Sequence, residues 1–387
     1  MKIAILHEML IKFWGAEKVV ETFLEAFPKA DLFTLIYDEE KVWDFFPKEK
    51  INKQCFNLKT QKTYNLTKRQ RFCLPHMAKS VEQLDFSKYD VVLCSSSWFA
   101  HWAITKPETK FIVYYHSPAR YMWDWTNEYK RDLKIPKLIK PLFIYKLNKL
   151  LLKLRQWDYI ASKRHNITLA NSNNTANRIK KYYKLNSQII FPPIETERFW
   201  NQIGISKTNY YKLAEKYNFT SKNYYIIISA LTEFKKIDVA INAFNKLPNN
   251  KLVIIWDWDF KEELQKLAKN NICFVWKQFW DNLVVLVQNS LWLIFPWEED
   301  FWMVPVEVMS AWSPIFALNK GWLTETVIAW KTWEFFNNPD WIDFINSFEN
   351  FHQNNLNWKY NPKDCKKQAE KFSKQNFIKQ IKEIIRK

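Results

Sequence analysis

The chain has 387 residues, 48% of them hydrophobic and 25% charged, which excludes a disordered or collagen-like polypeptide and suits two globular domains. Its 58 Lys and Arg against 40 Asp and Glu give a net charge of +18, which indicates either an anionic partner or a lysine-rich, solvated surface. The chain has 3 Gly and 21 Trp, whereas an average protein of this length has roughly 27 glycines.

Short apolar runs alternate with amphipathic segments in the first half of the chain. They predict strands at residues 1–7, 31–37, 91–95, 111–115, 167–170 and 189–193, and helices at residues 18–27 and 173–183. Residues 130–155 carry nine basic residues and one acidic residue among apolar ones, a pattern that predicts an interfacial helix or hairpin. Strands alternating with helices favour a parallel, doubly wound α/β domain.

The same alternation restarts in the second half. Strands are predicted at residues 225–229, 252–255, 272–275, 291–295 and 314–317, and helices at 237–245, 262–269 and 304–311. Residues 372–387 form an amphipathic helical pattern. The sequence therefore predicts two α/β units, divided near residues 192–222, where Pro192 and Pro193 end the first series.

Cysteine usage and targeting signals bear on the compartment. The five cysteines are scattered without a CxxC pair, which predicts a reducing environment and neither a disulfide framework nor a zinc site. We see no signal-peptide pattern and no run of 18 apolar residues. We expect a cytoplasmic protein, peripheral on the inner face of the cell membrane. Nucleic acid is not an expected partner, because no aromatic ladder accompanies the basic segment.

Many tryptophans stand where a turn or a helix end favours glycine. Trp256 and Trp258 follow a predicted strand, and Trp312 ends a predicted helix. Further positions of this kind are Trp14, Trp297, Trp302, Trp322, Trp330 and Trp333. One explanation is a gene that uses UGA for glycine and was translated with tryptophan at that codon. The alternative is a tryptophan-rich protein in which these side chains are core or binding aromatics.

The codons distinguish these two explanations, since ordinary Trp codons at Trp256, Trp258, Trp297 and Trp302 would refute recoding. Trp123 and Trp157 lie in apolar, aromatic helical contexts and are candidates for genuine tryptophans. Trp43, Trp341 and Trp358 are compatible with either residue.

With glycine at those turns, residues 295–307 (FPWEEDFWMVPVE) become a glycine turn followed by a helix start. Glu299 and Glu307 are then separated by seven residues. Backbone N–H groups of residues 301–304 would meet an anion at the start of the helix. Carboxylates on both sides of such a turn can hold sugar hydroxyls.

This spacing resembles the E-x7-E motif of retaining family 4 (group 1) glycosyltransferases, and further segments match that family in order. They are WGAEKVVE, YYHSPARYMWDW, LANSNNTANRI, FPPIETERF, ISALTEFKKIDVAINAF and GWLTETV. The resemblance implies an α/β, GT-B fold of two Rossmann-like domains facing across a cleft. It implies an acceptor-binding domain at 1–195 that includes residues 130–155. It also implies a donor-binding domain at 196–372 and a C-terminal helix at 373–387 that crosses back to the first domain.

The resemblance also implies roles for particular residues. The implied catalytic residues are His116, Glu299 and Lys235, with Glu299 contacting the donor sugar and Lys235 neutralising the diphosphate. The implied donor-binding residues are Gly15, Lys235, Lys236, Lys277, Phe301, Trp302, Met303, Val304 and Glu307, with Glu307 on the ribose hydroxyls and Lys277 near the base. Trp14 and Arg120 are implied on the acceptor side. No metal site and no cofactor besides the nucleotide-diphosphate sugar substrate are implied.

Some assignments stay open at the level of sequence. The family often has Arg in an S-R-L segment where this chain has Ser229-Ala230-Leu231, and Lys236 is a possible substitute. His116 is also compatible with a satisfied core histidine, and Arg120 with a helix cap. His7 and His101 are interpreted as structural or peripheral.

The expected function is transfer of a hexose, mannose from GDP-mannose, to a lipid-linked or polysaccharide acceptor in cell-surface glycan synthesis. The expected partners are the nucleotide sugar, that acceptor and an anionic membrane surface. One alternative is another GT-B enzyme, a sugar-phosphate synthase or a nucleotide-sugar epimerase. A second is a non-enzymatic, basic membrane- or nucleic-acid-binding protein. A third is an inactive or poorly folding chain, if every tryptophan is genuine.

Overall fold

The computed structural model divides the chain into two compact units. The first unit comprises Met1–Pro193 and Phe377–Lys387, and the second comprises Ile194–Asn376. The residues that the structure describes are 1–133, 135–136, 138–200, 207–257, 261–276, 278, 280–299, 303–326, 328, 333–356 and 361–386.

A six-stranded parallel sheet forms the centre of the first unit. Its strands are β1 (Ile3–Leu10), β2 (Asp31–Tyr37), β3 (Val91–Ser96), β4 (Lys110–Tyr115), β5 (Ile167–Ala170) and β6 (Gln188–Ile189), in the order β2-β1-β3-β4-β5-β6. Buried runs of Val, Ile, Leu and Phe fill β1 to β4, as in a parallel sheet covered on both faces. The direction of strand order changes at β1, which pairs with both β2 and β3.

Helices of the first unit connect these strands. They are α1 (Gly15–Ala26), α2 (Glu39–Val42), α3 (Lys59–Thr67), α4 (Met77–Glu82), α5 (Thr126–Asp132), α6 (Lys140–Ala161) and α7 (Asn173–Tyr183). The basic segment contains most of α6 and is helical there, while its location at a membrane interface stays a prediction. On α6 the buried residues Leu147, Leu151 and Leu154 recur at helical spacing, which places one face of the helix against the unit.

The second unit has its own six-stranded parallel sheet. Its strands are β7 (Tyr224–Ala230), β8 (Lys251–Asp257), β9 (Ile272–Trp276), β10 (Leu293–Phe295), β11 (Ile315–Leu318) and β12 (Trp333–Phe336), in the order β12-β11-β10-β7-β8-β9. Its helices are α8 (Thr196–Trp200), α9 (Lys207–Tyr217), α10 (Ile237–Phe244), α11 (Lys261–Leu267), α12 (Trp280–Asn289), α13 (Met303–Ser310), α14 (Leu323–Thr326), α15 (Trp341–Leu356) and α16 (Pro362–Glu370). This sheet also changes direction at one place, between β7 and β10.

The last helix, α17 (Lys374–Arg386), contributes to the core of the first unit. Its apolar residues Phe377, Ile381, Ile384 and Ile385 are buried there. The Phe377 ring stacks on Phe23 of α1 at a centroid distance of 5.6 Å. The core of the first unit is therefore built from two stretches of chain that are far apart in sequence.

A few local expectations differ from the structure. Trp256 lies inside β8, paired with Ser229 and Trp276, and not in a turn after the strand. Trp123 lies in a turn between β4 and α5 and not in a helix. The strand expected at residues 189–193 is only Gln188–Ile189, because the two prolines that follow cannot donate to a ladder. Strand β12 was not expected.

A half-buried histidine of the first unit makes stability depend on pH. Burial, with the charges of His101 and Lys163, lowers the pKa of His165 to about 3. Below pH 6.5 the unfolded chain therefore binds a proton that the folded chain excludes, and stability falls as the pH falls. We expect the H165N variant to lose about 2 kcal/mol less stability than the parent between pH 6.5 and pH 5. Urea unfolding at both pH values measures the difference, and equal losses would contradict the prediction.

Candidate active site

The second unit places two charged side chains at the point where its strand order changes. Lys235 ends a short 3-10 helix, Glu233–Lys235, that follows β7, and Glu299 follows β10. The two strands pair directly, with Ile226 opposite Leu293. In parallel α/β sheets, ligands bind beyond the carboxyl ends of the strands at such a switch point.

Lys235 and Glu299 form an ion pair beyond the carboxyl ends of β7 and β10. The Lys235 ammonium donates to Oε2 of Glu299. Lys235 is 2% exposed, whereas the Glu299 carboxylate keeps contact with solvent. The Lys235 ammonium also lies 4.8 Å from the centroid of the Trp297 ring. The arrangement places a buried ammonium beside a carboxylate that can accept hydrogen bonds from hydroxyl groups.

Gly321 supports the backbone of Glu299. Gly321 has φ +73°, and a Cβ there would lie 2.5 Å from the Glu299 carbonyl oxygen. The next residue, Trp322, donates its backbone N–H to the same oxygen at 3.2 Å. The close approach of two backbones fixes the position of Glu299 and requires glycine at residue 321.

Replacement of Gly321 by alanine tests this support. A left-handed φ costs an alanine on the order of 1 kcal/mol, and the contact with a backbone oxygen adds to it. We expect G321A to lower the free energy of unfolding by about 2 kcal/mol, measured by urea unfolding. The exposed neighbour Lys320 supplies the control, since K320A should change stability by no more than about 0.5 kcal/mol. Equal stability of the two variants would contradict the prediction.

The other predicted donor-binding residues have different surroundings. Met303 and Val304 begin α13, and Glu307, 9% exposed, lies on its second turn. Lys236 is exposed and adopts a left-handed conformation between the 3-10 helix and α10. Lys277, Phe301 and Trp302 lie outside the described residues.

In the first unit, the predicted residues surround the carboxyl ends of β1 and β4. Trp14 precedes α1 and donates its backbone N–H to Oε2 of Glu17 at 3.0 Å, and Gly15 is the first residue of that helix. Arg120 stacks on the Trp125 ring at 4.4 Å. Its guanidinium lies 4.0 Å from a carboxylate oxygen of Asp124.

His116 follows β4 directly and is half-buried. Its Nε2 lies 2.8 Å from Oγ of Ser95, at the end of β3. Burial, with the charge of His7, lowers the pKa of His116 to about 3. The imidazole is therefore neutral at physiological pH and able to make directional hydrogen bonds.

Sequence reasoning missed three residues that lie behind His116. The His7 Nδ1 lies 3.1 Å from the Ser95 hydroxyl, and the His7 Nε2 lies 3.9 Å from Oε1 of Glu17. His7 and Ser95 are direct partners in the register of β1 and β3. A signal was present, because a histidine and a glutamate inside a buried strand of apolar residues need buried polar partners.

The tryptophans in glycine-like places fall into distinct groups. Trp312 has φ +67°, and the N–H groups of Trp312 and Ser313 donate to the carbonyls of Met309 and Val308, which is the Schellman arrangement that favours glycine. Trp14, by contrast, has φ −137°, an extended conformation open to any residue. Trp297 is fully buried beside Lys235, and its indole N–H has no hydrogen-bond partner among the described residues.

The described residues contain no group of three or more His, Cys, Asp or Glu side chains arranged to hold a metal ion. Within the same part of the chain, the search for a helix long and apolar enough to cross a membrane finds none.

Two six-stranded parallel sheets in one chain, each flanked by helices, are the architecture of the GT-B fold. Two family descriptions match consecutive parts of the chain: Glycosyltransferase Family 4 at residues 15–198 and Glycosyl transferases group 1 at residues 212–372. The chain belongs to the group 1, family 4 glycosyltransferases.

Individual relatives agree with this membership. The alpha-1,3/1,6-mannosyltransferase ALG2 of Dictyostelium discoideum is 25% identical over 320 residues, covering 72% of this chain and 70% of that protein. Among solved structures, Anabaena HepE in complex with UDP has a TM-score of 0.71 and 12% identity over 100% of this chain and 99% of that one. Sucrose-phosphate synthase from Thermosynechococcus elongatus has a TM-score of 0.73 and 13% identity over 100% and 98%. These two structures share the fold.

Proposed function

We propose that this glycosyltransferase is a retaining enzyme that moves mannose from GDP-mannose to a lipid-linked or polysaccharide acceptor in cell-surface glycan synthesis. The observation that carries the proposal is the Lys235–Glu299 pair at the switch point of the second unit. A buried ammonium beside a partly exposed carboxylate suits a ligand that is a diphosphate at one end and a sugar at the other.

In the proposed reaction the acceptor hydroxyl oxygen forms a bond to the anomeric carbon of the donor. The bond from that carbon to the diphosphate breaks on the same face, and the hydroxyl proton passes to the leaving phosphate oxygen. Lys235 stabilises the charge that develops on the diphosphate. Glu299 holds the sugar hydroxyls and Glu307 the ribose hydroxyls, while His116 and Arg120 serve the acceptor. No metal or further cofactor is assigned.

The ALG2 relative, named as a mannosyltransferase, is the reason to propose mannose. A panel of nucleotide sugars with hexose and base varied independently tests the donor, read out as binding and as release of nucleoside diphosphate. Mannose transfer from GDP-mannose supports the proposal, and transfer of another sugar overturns the donor assignment. Transfer to a soluble sugar phosphate favours the synthase alternative. No binding or turnover with any donor, together with unaffected E299Q and E307Q variants, favours a non-enzymatic binding protein.

We also propose that several tryptophans of this chain stand for glycines of the natural protein. Trp297 fills the space beside the Lys235 ammonium, and Trp312 occupies a left-handed position. The masses of peptides from the protein purified from its own cells decide each position. In the donor panel, the chain as written should bind more weakly than a chain with glycine at Trp14, Trp297, Trp302 and Trp322. Equal binding would count against the recoding of these site residues.

We further propose that the enzyme is peripheral on the inner face of the cell membrane, docked through the start of α6. Exposed apolar side chains cluster there. They are Leu138, Ile139, Leu142, Phe143 and Tyr145, with Leu138 93% exposed. The exposed lysines Lys146, Lys149 and Lys153 follow on the same helix. Apolar insertion together with lysine attraction to anionic lipid is the usual combination in interfacial helices.

Vesicle sedimentation tests the docking surface. We expect the double variant L142E/F143E to reduce binding to anionic phospholipid vesicles at least tenfold, because two apolar contacts are replaced by charges that the lipid repels. The control is L66E, a charge placed on another fully exposed leucine of the same unit. Equal binding by L142E/F143E and L66E would contradict the proposal, as would equal binding to neutral and anionic vesicles.

A further inference from the structure

A chain of four polar side chains runs from a buried carboxylate to the imidazole of His116. Glu17 comes from α1, His7 from β1, Ser95 from β3 and His116 from the end of β4. The consecutive distances are 3.9 Å from Glu17 Oε1 to His7 Nε2, 3.1 Å from His7 Nδ1 to Ser95 Oγ, and 2.8 Å from Ser95 Oγ to His116 Nε2. The sheet order β1-β3-β4 is what brings these residues together.

The surroundings of His7 favour its charged form. Its side chain is 4% exposed, and its Nδ1 also lies 3.1 Å from the Ser95 carbonyl oxygen and 3.5 Å from Oε2 of Glu8. Burial lowers the pKa of His7, but the nearby carboxylates of Glu17 and Glu8 outweigh it, so the pKa is raised. An imidazolium carries a proton on both ring nitrogens and only donates.

The carbonyl oxygen of Ser95 can only accept, so its contact with His7 Nδ1 places a proton on that nitrogen and determines the direction of the next hydrogen bond. A serine hydroxyl has one hydrogen to donate, and beside a donating His7 its oxygen serves as acceptor. The Ser95 hydrogen is then free to point at the His116 Nε2. A nitrogen that accepts a hydrogen bond carries no proton, so the single proton of neutral His116 lies on Nδ1.

We propose that Glu17, His7 and Ser95 are positioning residues that hold His116 in its Nδ1–H tautomer, so that His116 presents a hydrogen-bond donor to a substrate hydroxyl. The tautomer follows from the four side chains alone. The hydrogen bond from His116 to a substrate hydroxyl rests on the proposed function. In this arrangement His116 orients a hydroxyl oxygen and is not available to remove its proton through Nδ1. This agrees with a transfer step in which the leaving phosphate takes that proton.

Nitrogen NMR of the full chain tests the tautomer without any substrate. The protein has six histidines, and labelling them with ¹⁵N allows the His116 ring signals to be assigned by their loss in H116N. We expect an unprotonated Nε2 and a protonated Nδ1 in the parent chain. In S95A the two tautomers should mix, whereas S187A, a serine variant elsewhere in the first unit, should leave the signals unchanged. E17Q, which removes the charge behind His7, should shift the balance in the same direction as S95A.

A protonated Nε2 in the parent chain would overturn the proposal. An unchanged His116 signal in a folded S95A variant would do the same, with folding checked by circular dichroism. Kinetics then separate this inference from the proposed function. If the chain transfers sugar, S95A should lower kcat about tenfold, the equivalent of one hydrogen bond, with the KM for the donor unchanged. If it transfers no sugar while the tautomer result holds, the proposed function fails and the positioning of His116 stands.

Discussion

The K235M variant should lose 10²- to 10³-fold in kcat, the usual effect of removing one preorganised charge from an active site. Methionine keeps the length and apolar stem of the lysine, so the fold loses little packing. It removes the ammonium that in this structure donates to Glu299 and lies beside Trp297. Because Lys235 is buried, a solvent-exposed lysine cannot take the same position relative to a bound diphosphate.

The measurement is the rate of nucleoside diphosphate release at saturating donor, on the form of the chain that transfers sugar most efficiently. K266M removes an exposed lysine of α11 in the same unit and is the matched control. Urea unfolding of both variants separates lost chemistry from lost stability. A K235M variant that keeps kcat within threefold of the parent would contradict the assignment of Lys235 to the diphosphate.

The D158A variant should lower the free energy of unfolding of the first unit by about 3–5 kcal/mol. Asp158 lies on α6 and is completely buried. Its carboxylate accepts from the indole N–H groups of Trp102 and Trp123 at 2.8 and 2.7 Å and from the Tyr183 hydroxyl at 2.8 Å. The His101 Nε2 lies 3.0 Å away on the same carboxylate. Alanine would leave the two indole N–H groups and the Tyr183 hydroxyl without this acceptor, and His101 without its neighbouring carboxylate.

Hydrogen exchange of amides in the first unit measures this loss without requiring the two units to unfold together. D158N keeps one acceptor oxygen, so its loss should lie between those of D158A and the parent. Q156A, on the exposed side of the same helix, should stay within about 0.5 kcal/mol of the parent. A D158A variant as stable as Q156A would show that water enters and satisfies the donors.

Where the sequence carries a start signal and a stop signal, the bounds of the helix could be predicted to the residue. Residues 173–183 are α7 as expected, because Ser172 caps its first turn by accepting from the Thr175 N–H at 3.1 Å, and Lys184 ends it in a left-handed conformation. The β-branched, apolar runs of β2 and β5 were equally clear. Strand β12 was not predicted because Trp333–Phe336 follows a turn-like sequence, and Trp333 itself was interpreted as part of that turn.

The candidate site divides in the same way. Lys235, Glu299 and His116 lie in motifs that can be recognised along the chain, so the sequence alone identified them as candidates. His7 and Ser95 are 88 residues apart and meet only because β1 and β3 are neighbours in register. Sheet order is a property of long-range packing, which periodicity does not report. For this reason the sequence-based interpretation of His7 as structural or peripheral did not include its contact with Ser95, which in turn contacts His116.

The two-part construction of the first unit has a consequence for synthesis. A ribosome makes Met1–Pro193 first, but Phe377 and the isoleucines of α17 that complete this core emerge only after the whole second unit. During synthesis the usual order, in which the N-terminal domain folds first, is therefore reversed. The second unit can complete its fold before the first unit has all of its residues. Until translation reaches α17, the nascent first unit exposes the apolar surface around Phe23 and Tyr114 that Phe377 later covers. Nascent chains that end before α17 should therefore be the ones that chaperones retain.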